Sequence, residues 1–216
     1  MSATDRAYDF AKERILDGRY DGGALISEGE VAEGVGLSRT PVREAFLRLE
    51  SDGLLRLYPK RGALVVPVSV GEVESVMETR LLVERHALEK VVRRGVDLAE
   101  QLHAELDRQR RLADADRPRD FVEADREFHR LFVAGAGNPI LLALHDSLRD
   151  RQSRMGLTAL ARDARRTQQI LAQHAELAAA VLAGDAPRAV TVIDRHLEDT
   201  RRLLLPHPPI PRSAPT

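Results

Sequence analysis

Apolar residues recur every three to four positions along most of the chain, the spacing that puts them on one face of an α-helix. Beyond residue 70 this pattern predicts six helices, roughly over 70–93, 97–114, 118–135, 139–157, 163–183 and 186–204. The period changes once. Leu54-Leu55-Arg56-Leu57-Tyr58 and Ala63-Leu64-Val65-Val66 flank Pro59-Lys60-Arg61-Gly62, which reads as a β-hairpin with a four-residue turn. Ahead of it, Ser27-Glu28-Gly29-Glu30 reads as a capping box, and Ile26 with Val31 as a hydrophobic staple, so a helix starts there. That helix is short, because Gly36 stands where a left-handed C-cap is needed. Ser38-Arg39-Thr40-Pro41 starts a second helix; Pro41 costs little in a first turn, whose amides have no helical partner. Val42, Ala45, Phe46 and Leu49 mark its buried stripe. A short helix, a glycine turn and a second helix make a helix-turn-helix, and the hairpin makes it the winged variety. The fold class expected is mainly α: a small α/β winged unit over residues 1–67 and an all-α six-helix bundle over 68–205. A Pro-rich tail at 206–216 cannot continue a helix.

No apolar run approaches the ~20 residues of a membrane span. The first ten residues carry acids and lack the hydrophobic core of a signal peptide. Without cysteine, disulfides, thiolate nucleophiles and Cys-based zinc knuckles are excluded, which suits a reducing compartment. The expectation is therefore a cytoplasmic protein with no membrane partner.

Charge is nearly balanced, 33 Lys+Arg against 34 Asp+Glu. That argues against a grossly basic nucleic-acid binder but not against a local patch. From Arg39 to Arg61 there are six cations (Arg39, Arg43, Arg48, Arg56, Lys60, Arg61) and three anions (Glu44, Glu50, Asp52). The rest of the first 67 residues carries four cations and eight anions, so positive charge collects on the second helix and the hairpin. Arg39 and Arg43 project from one face near that helix's N-terminus, with Thr40 beside them. This end of a recognition helix enters the major groove, where arginine donates two hydrogen bonds to guanine. Arg48 points about 180° away from Arg39. Two arginines at helical spacing are by themselves an ordinary solvated face. Together with capped helices, a glycine turn and a basic-tipped wing they point to double-stranded DNA.

Three stretches then carry a resemblance: Ile26-Ser27-Glu28-x-Glu30-Val31-Ala32, Gly36-Leu37-Ser38-Arg39-Thr40-Pro41-Val42-Arg43-Glu44-Ala45, and Leu49-Glu50-x-x-Gly53-Leu54. Over roughly residues 6 to 67 the chain resembles the GntR family of bacterial transcription regulators. The resemblance implies DNA contacts at Arg39, Thr40, Arg43 and the wing residues Arg61 and Gly62. One departure bears on base preference. Many relatives have an Arg between the two glutamates of the first helix, which often touches DNA, and this chain has Gly29.

In the helical half, polar groups interrupt apolar stripes. Asp125 lies among Phe121, Phe128 and Phe132, with His129 one turn on. A carboxylate there is expensive unless paired or metal-bound. His174 shares a stripe with Ile170, Leu177 and Val181, and His196 lies with Val192, Ile193 and Leu203. Their helices are joined by Gly184-Asp185-Ala186-Pro187, and the two histidines are equidistant from position 185, so an antiparallel hairpin sets them face to face. One Asp and three His form an N₃O set suited to Zn²⁺, with Ni²⁺ or Mn²⁺ as alternatives. Spacing alone leaves this and a structural role both open. His86, His103, His145 and His207 read as surface or structural. Arg80 and Glu84, one turn apart on an apolar face, read equally as an interface ion pair or as functional groups.

A second resemblance bears on both questions. Asp125-Arg126-Glu127-Phe128-His129-Arg130, with Asn138-Pro139, His174-x-x-Leu177 and Arg195-His196-Leu197, is similar to the FCD effector domain of the FadR branch of GntR regulators, over about residues 70 to 204. It implies metal ligation by Asp125, His129, His174 and His196. It also implies an effector site at Arg80 and Glu84, with Arg80 clamping the carboxylate of a small organic acid. The expected protein is a homodimeric, ligand-responsive regulator, a repressor, on palindromic operator DNA. The alternatives are a metal-dependent hydrolase, which lacks an H-E-x-x-H motif here and leaves the DNA unit unexplained, and a purely structural helical dimerisation module.

Overall fold

A computed structural model describes residues 1–59 and 61–205. Lys60, His207 and the expected tail at 206–216 lie outside the described residues. The chain begins with α1 (Ala3–Leu16), started by a reciprocal capping box between Ser2 and Asp5. Then come β1 (Leu25–Ile26), α2 (Glu28–Val35), α3 (Arg39–Ser51), β2 (Leu55–Tyr58) and β3 (Gly62–Val65). The Ser27 hydroxyl accepts the Glu30 amide at 3.0 Å, so the Ser27 half of the expected capping box forms; the return bond from Glu30 does not. Gly36 ends α2 in the left-handed conformation. The strands form one antiparallel sheet in the order β1-β3-β2.

Two details differ from the sequence reading. β1 is a third strand of only two residues, too short for an alternating pattern to reveal. Tyr58 pairs with Gly62, so the hairpin turn holds three residues rather than four. One core, built from Ala7, Ala11 and Ile15 of α1, Val42, Phe46 and Leu49 of α3, and Leu55, Ala63 and Val65 of the sheet, holds this unit together. Burying a side chain such as Phe46 contributes roughly 2–3 kcal/mol.

The remainder is helical: α4 (Val70–Arg94), α5 (Ala99–Asp114), α6 (Pro118–Gly135), α7 (Pro139–Ser147), α8 (Arg149–Arg162), α9 (Arg166–Leu182) and α10 (Ala186–Leu204). The segment expected as one helix over 139–157 is two, so seven helices stand here among the described residues. The Leu148 amide donates to His145 O at 3.1 Å, a tighter turn that breaks the α-helical ladder. α8 is thereby redirected onto α6, at a contact so close that a Cβ on Gly156 would lie 2.8 Å from Val122. α10 packs on α4 and α9, and α5 on α6 and α9, around a second core that includes Phe128, Phe132, Leu177 and Ile193. α1 meets α8 through Lys12–Asp150 at 2.7 Å, and Arg154 of α8 donates to Val66 O at 2.8 Å.

Candidate metal centre and nucleic-acid interface

α6 presents Asp125 and His129 one turn apart, α9 presents His174, and α10 presents His196. One donor atom from each lies within 4.8 Å of all the others. The hairpin expectation holds in detail, since the rings of His174 and His196 stand 4.8 Å apart. His129 Nε2 is 3.2 Å from His196 Nε2, and His174 Nε2 is 3.5 Å from Asp125 Oδ1. These separations bracket the ligand-to-ligand edge of about 3.3 Å expected for a tetrahedral ion bound at about 2.0–2.1 Å.

What the rings do on their far sides fixes their tautomers. His174 Nδ1 is 2.8 Å from Gln109 Oε1, and the Gln109 amide is oriented by donating from Nε2 to Ala124 O at 3.2 Å. His196 Nδ1 is 3.0 Å from Gln173 Oε1, whose own Nε2 donates to Asp199 at 2.8 Å. His129 Nδ1 is 2.7 Å from Glu84 Oε2, close enough for a charge-assisted contact though not aligned as an ideal hydrogen bond. Each Nδ1 therefore carries the proton, and each Nε2 offers a lone pair to the centre. Asp125 Oδ1 and His174 Nε2 are buried without a hydrogen-bond partner. Three lone pairs and a carboxylate oxygen converging without a proton between them repel one another, and a cation turns that repulsion into ligation. The four residues fit a divalent ion.

Burial is the main reason His174 and His196 are held well below the usual histidine range, with the nearby His129 and Arg166 adding to it. Both are therefore neutral, as ligation requires. Phe128 stacks on His174, with ring centroids 4.2 Å apart and an interplanar angle of 11°.

The centre opens onto a cavity of about 30 Å³ lined by Arg80, Asp125, Arg126, Arg166, His196 and Thr200 among others. That is room for about two water molecules. Arg80 lines this cavity and Glu84 does not. Fully buried, Glu84 receives Arg80 Nε at 2.7 Å on one oxygen and faces His129 with the other. Burial pushes its carboxyl up, but Arg80 and His129 outweigh that and hold it well below the carboxylate range. An effector role for Glu84 does not follow from this position; its second oxygen faces His129. His145 is also buried, with Nε2 3.7 Å from Glu84 Oε1.

Most of the expected DNA-contacting residues are exposed on the winged unit. Arg39, Thr40 and Arg43 are exposed on the first turns of α3, with Arg43 4.0 Å from Glu28. Arg39 lies over Gly29: a Cβ there would come within 3.3 Å of its Nη2. Arg48 instead turns to α1, bonding Asp5 at 2.9 Å and covering the Tyr8 ring. Arg61 is exposed at the hairpin tip, where its amide donates to Tyr58 O at 3.0 Å. Gly62 has φ +97°, and a Cβ on it would strike the Ile26 carbonyl oxygen. Its position therefore demands glycine before any DNA contact is considered.

Gln109, Gln173 and Arg166 were not among the sequence candidates. Each is buried on a helix facing the centre, but nothing in local spacing ties them to histidines 23 to 65 residues away.

The family model described as "Bacterial regulatory proteins, gntR family" matches residues 3–65, and that of the FCD domain matches residues 75–199. An HTH-type transcriptional regulator in an unstable DNA locus of Streptomyces ambofaciens is 33% identical, over 86% of this chain and 78% of its own length. The HTH-type transcriptional repressor RspR of Escherichia coli is 28% identical, over 82% of this chain and 78% of its own. A GntR transcriptional regulator structure from Rhodococcus sp. RHA1 superposes with a TM-score of 0.77, covering 94% of this chain and 98% of that one; at 23% identity it shows the shared fold alone. These relatives are transcriptional regulators, not enzymes.

Proposed function

Because the chain belongs to the gntR family of bacterial regulatory proteins, with an FCD domain behind its winged unit, we propose how this DNA-binding regulator is switched. Residues 1–67 act as the operator-binding unit of a cytoplasmic homodimer that works as a repressor. Residues 68–205 bind one divalent ion, zinc foremost, through Asp125, His129, His174 and His196. A small organic acid enters the adjoining cavity beside Arg80. The observation that carries this reading is the convergence of three Nε2 lone pairs and an orphaned carboxylate oxygen, each imidazole locked from behind by Glu84, Gln109 or Gln173. When bound, the ion supplies a Lewis-acidic position for an anionic ligand. The ion ties α6, α9 and α10 together, and a ligand that prefers one arrangement of the helices shifts the placement of the winged units that α8 contacts. A repressor relative such as RspR supports the direction of control.

DNA readout is tested with a palindromic site selected by the parent protein from a random library. Arg43→Ala is expected to cost ~1–3 kcal/mol on that site and to relax specificity, because a bidentate base contact is lost. Binding of selected and random DNA at parental affinities would remove α3 from base readout. Arg61→Ala is expected to weaken all sequences alike and to flatten the salt dependence by about one phosphate contact. A parental salt slope would take the wing off the DNA.

A further inference from the structure

The winged unit and the helical body keep separate apolar cores. Between them lie clefts of about 430 and 580 Å³, the first lined by Lys12, Arg119 and Asp150 and the second by Val66 and Arg154, among others. A boundary of that kind lets two units shift unless something pins them. The ion pairs Lys12–Asp150 and Arg119–Glu13 cross it, but their side chains are a quarter to a half exposed. Water and salt weaken such pairs.

Arg154 is different. It leaves α8 at only 7% exposure. Its Nη1 donates to Val66 O at 2.8 Å and its Nη2 to Glu72 Oε1 at 3.0 Å. One guanidinium thus grips the chain on both sides of the stretch 67–71 that joins the units. Val66 is held from its other side as well. Its amide donates to Leu54 O at 3.0 Å, and the Leu54 amide donates to Leu49 O, in the last turn of α3, at 2.9 Å. Elsewhere on α8, Met155, Gly156 and Ala159 line the cavity beside the candidate metal centre, and Gly156 abuts Val122 of α6. A continuous run of contacts therefore joins the helix of Asp125 and His129 to the helix of Arg39 and Arg43.

We propose that Arg154 is the positioning residue that sets the stance of the winged unit on the helical body. In a dimer that stance fixes the separation and angle of the two recognition helices. It needs neither the ion nor an acid. Arginine suits the post because its planar fork serves two acceptors in one rigid geometry, whereas the lysine ammonium is a point charge on a flexible stem.

The chain has no cysteine, so two introduced ones take spin labels without background. Glu33→Cys on α2 and His103→Cys on α5, both at exposed positions, report the distance between the units. Labelled protein is diluted in unlabelled, so that only distances within one chain are read. The parent, free of DNA and metal, is expected to give one narrow distance distribution. Arg154→Gln is expected to broaden it by about twofold or more, as two units without a pin would. Arg154→Lys keeps a cation beside Glu72, which favours folding, and is expected to broaden it too. Lys12→Gln breaks an exposed pair and is expected to leave the width unchanged. A parental width in either folded Arg154 variant overturns the proposal. So does a parent as broad as those variants, or equal broadening by Lys12→Gln.

DNA gives a second readout that mere loss of stability does not move. Shifting the half-sites of the selected palindrome by two base pairs rotates one against the other by about 70°. The parent is expected to lose at least about tenfold in affinity on the shifted site, and Arg154→Gln less than about threefold. An Arg154→Gln protein as strict about spacing as the parent overturns the link to operator geometry. A parent indifferent to spacing counts against the homodimer instead, and the distances within one chain still decide Arg154.

Discussion

Replacing His174 with alanine is expected to abolish tight zinc binding, lower the melting temperature and leave operator binding in place. The ligand set spans three helices that the chain brings together only on folding, so ion affinity is also folding free energy. An ion present at a hundred times its dissociation constant contributes about 2.7 kcal/mol. For a chain of this length that corresponds to about 5–10 °C in melting temperature. The alanine also removes the ring that stacks on Phe128 and bonds Gln109, so part of any loss is packing. Parent protein stripped by a chelator separates the two: it keeps the ring and loses the ion. The expected order of melting is loaded parent first, stripped parent next, and the variant lowest and indifferent to added zinc. Operator affinity of the ligand-free variant should stay within a factor of about two of the parent, because the winged unit has its own core. Retention of one zinc per chain by His174→Ala, with parental melting, would sink the metal centre.

The pattern of apolar and polar positions carried most of this architecture, and the reason is local. α6 announced its site because Asp125 and His129 fall on the one stripe that buries Phe121, Phe128 and Phe132. The pairing of His174 with His196 was legible because a short hairpin fixes height by simple counting. Resemblance then favoured ligand over core histidine, a choice that spacing left open. The split at Leu148 was not legible. It depends on a single tighter turn and on the close fit of Gly156 against Val122, a contact between helices distant in sequence. Glu84 illustrates a second limit. An Arg and a Glu one turn apart look alike whether they bind a ligand or each other, and only tertiary packing shows that the second carboxylate oxygen faces His129. Arg166 had no signal, since its acceptors His196 O and Thr200 are set by the packing of α9 on α10.

The wing offers the opposite dissociation from His174. Gly62→Ala is expected to abolish specific operator binding while the protein still takes up one zinc per chain. Two costs coincide at this position. At φ +97° an L side chain is strained by about 1–3 kcal/mol. The added Cβ would also strike the Ile26 carbonyl oxygen, a backbone atom that cannot swing aside as a flexible side chain can. Relief requires β3 to part from β1, which breaks the Ile26↔Ala63 and Leu25↔Leu64 pairs and uncovers Ala63, a fully buried core residue. The hairpin that carries Arg61 then loses its fixed height over the DNA. Gly53→Ala is the control. It shares a positive φ, +73°, but a Cβ there meets nothing within 4 Å, so it should cost about 1 kcal/mol and spare DNA binding. Fluorescence anisotropy on the selected palindrome is expected to rank Gly62→Ala at least tenfold below Gly53→Ala, with equal zinc content in both. If the two bind DNA alike, the β1–β3 contact does not position the wing, and Arg61 reaches DNA by some other support.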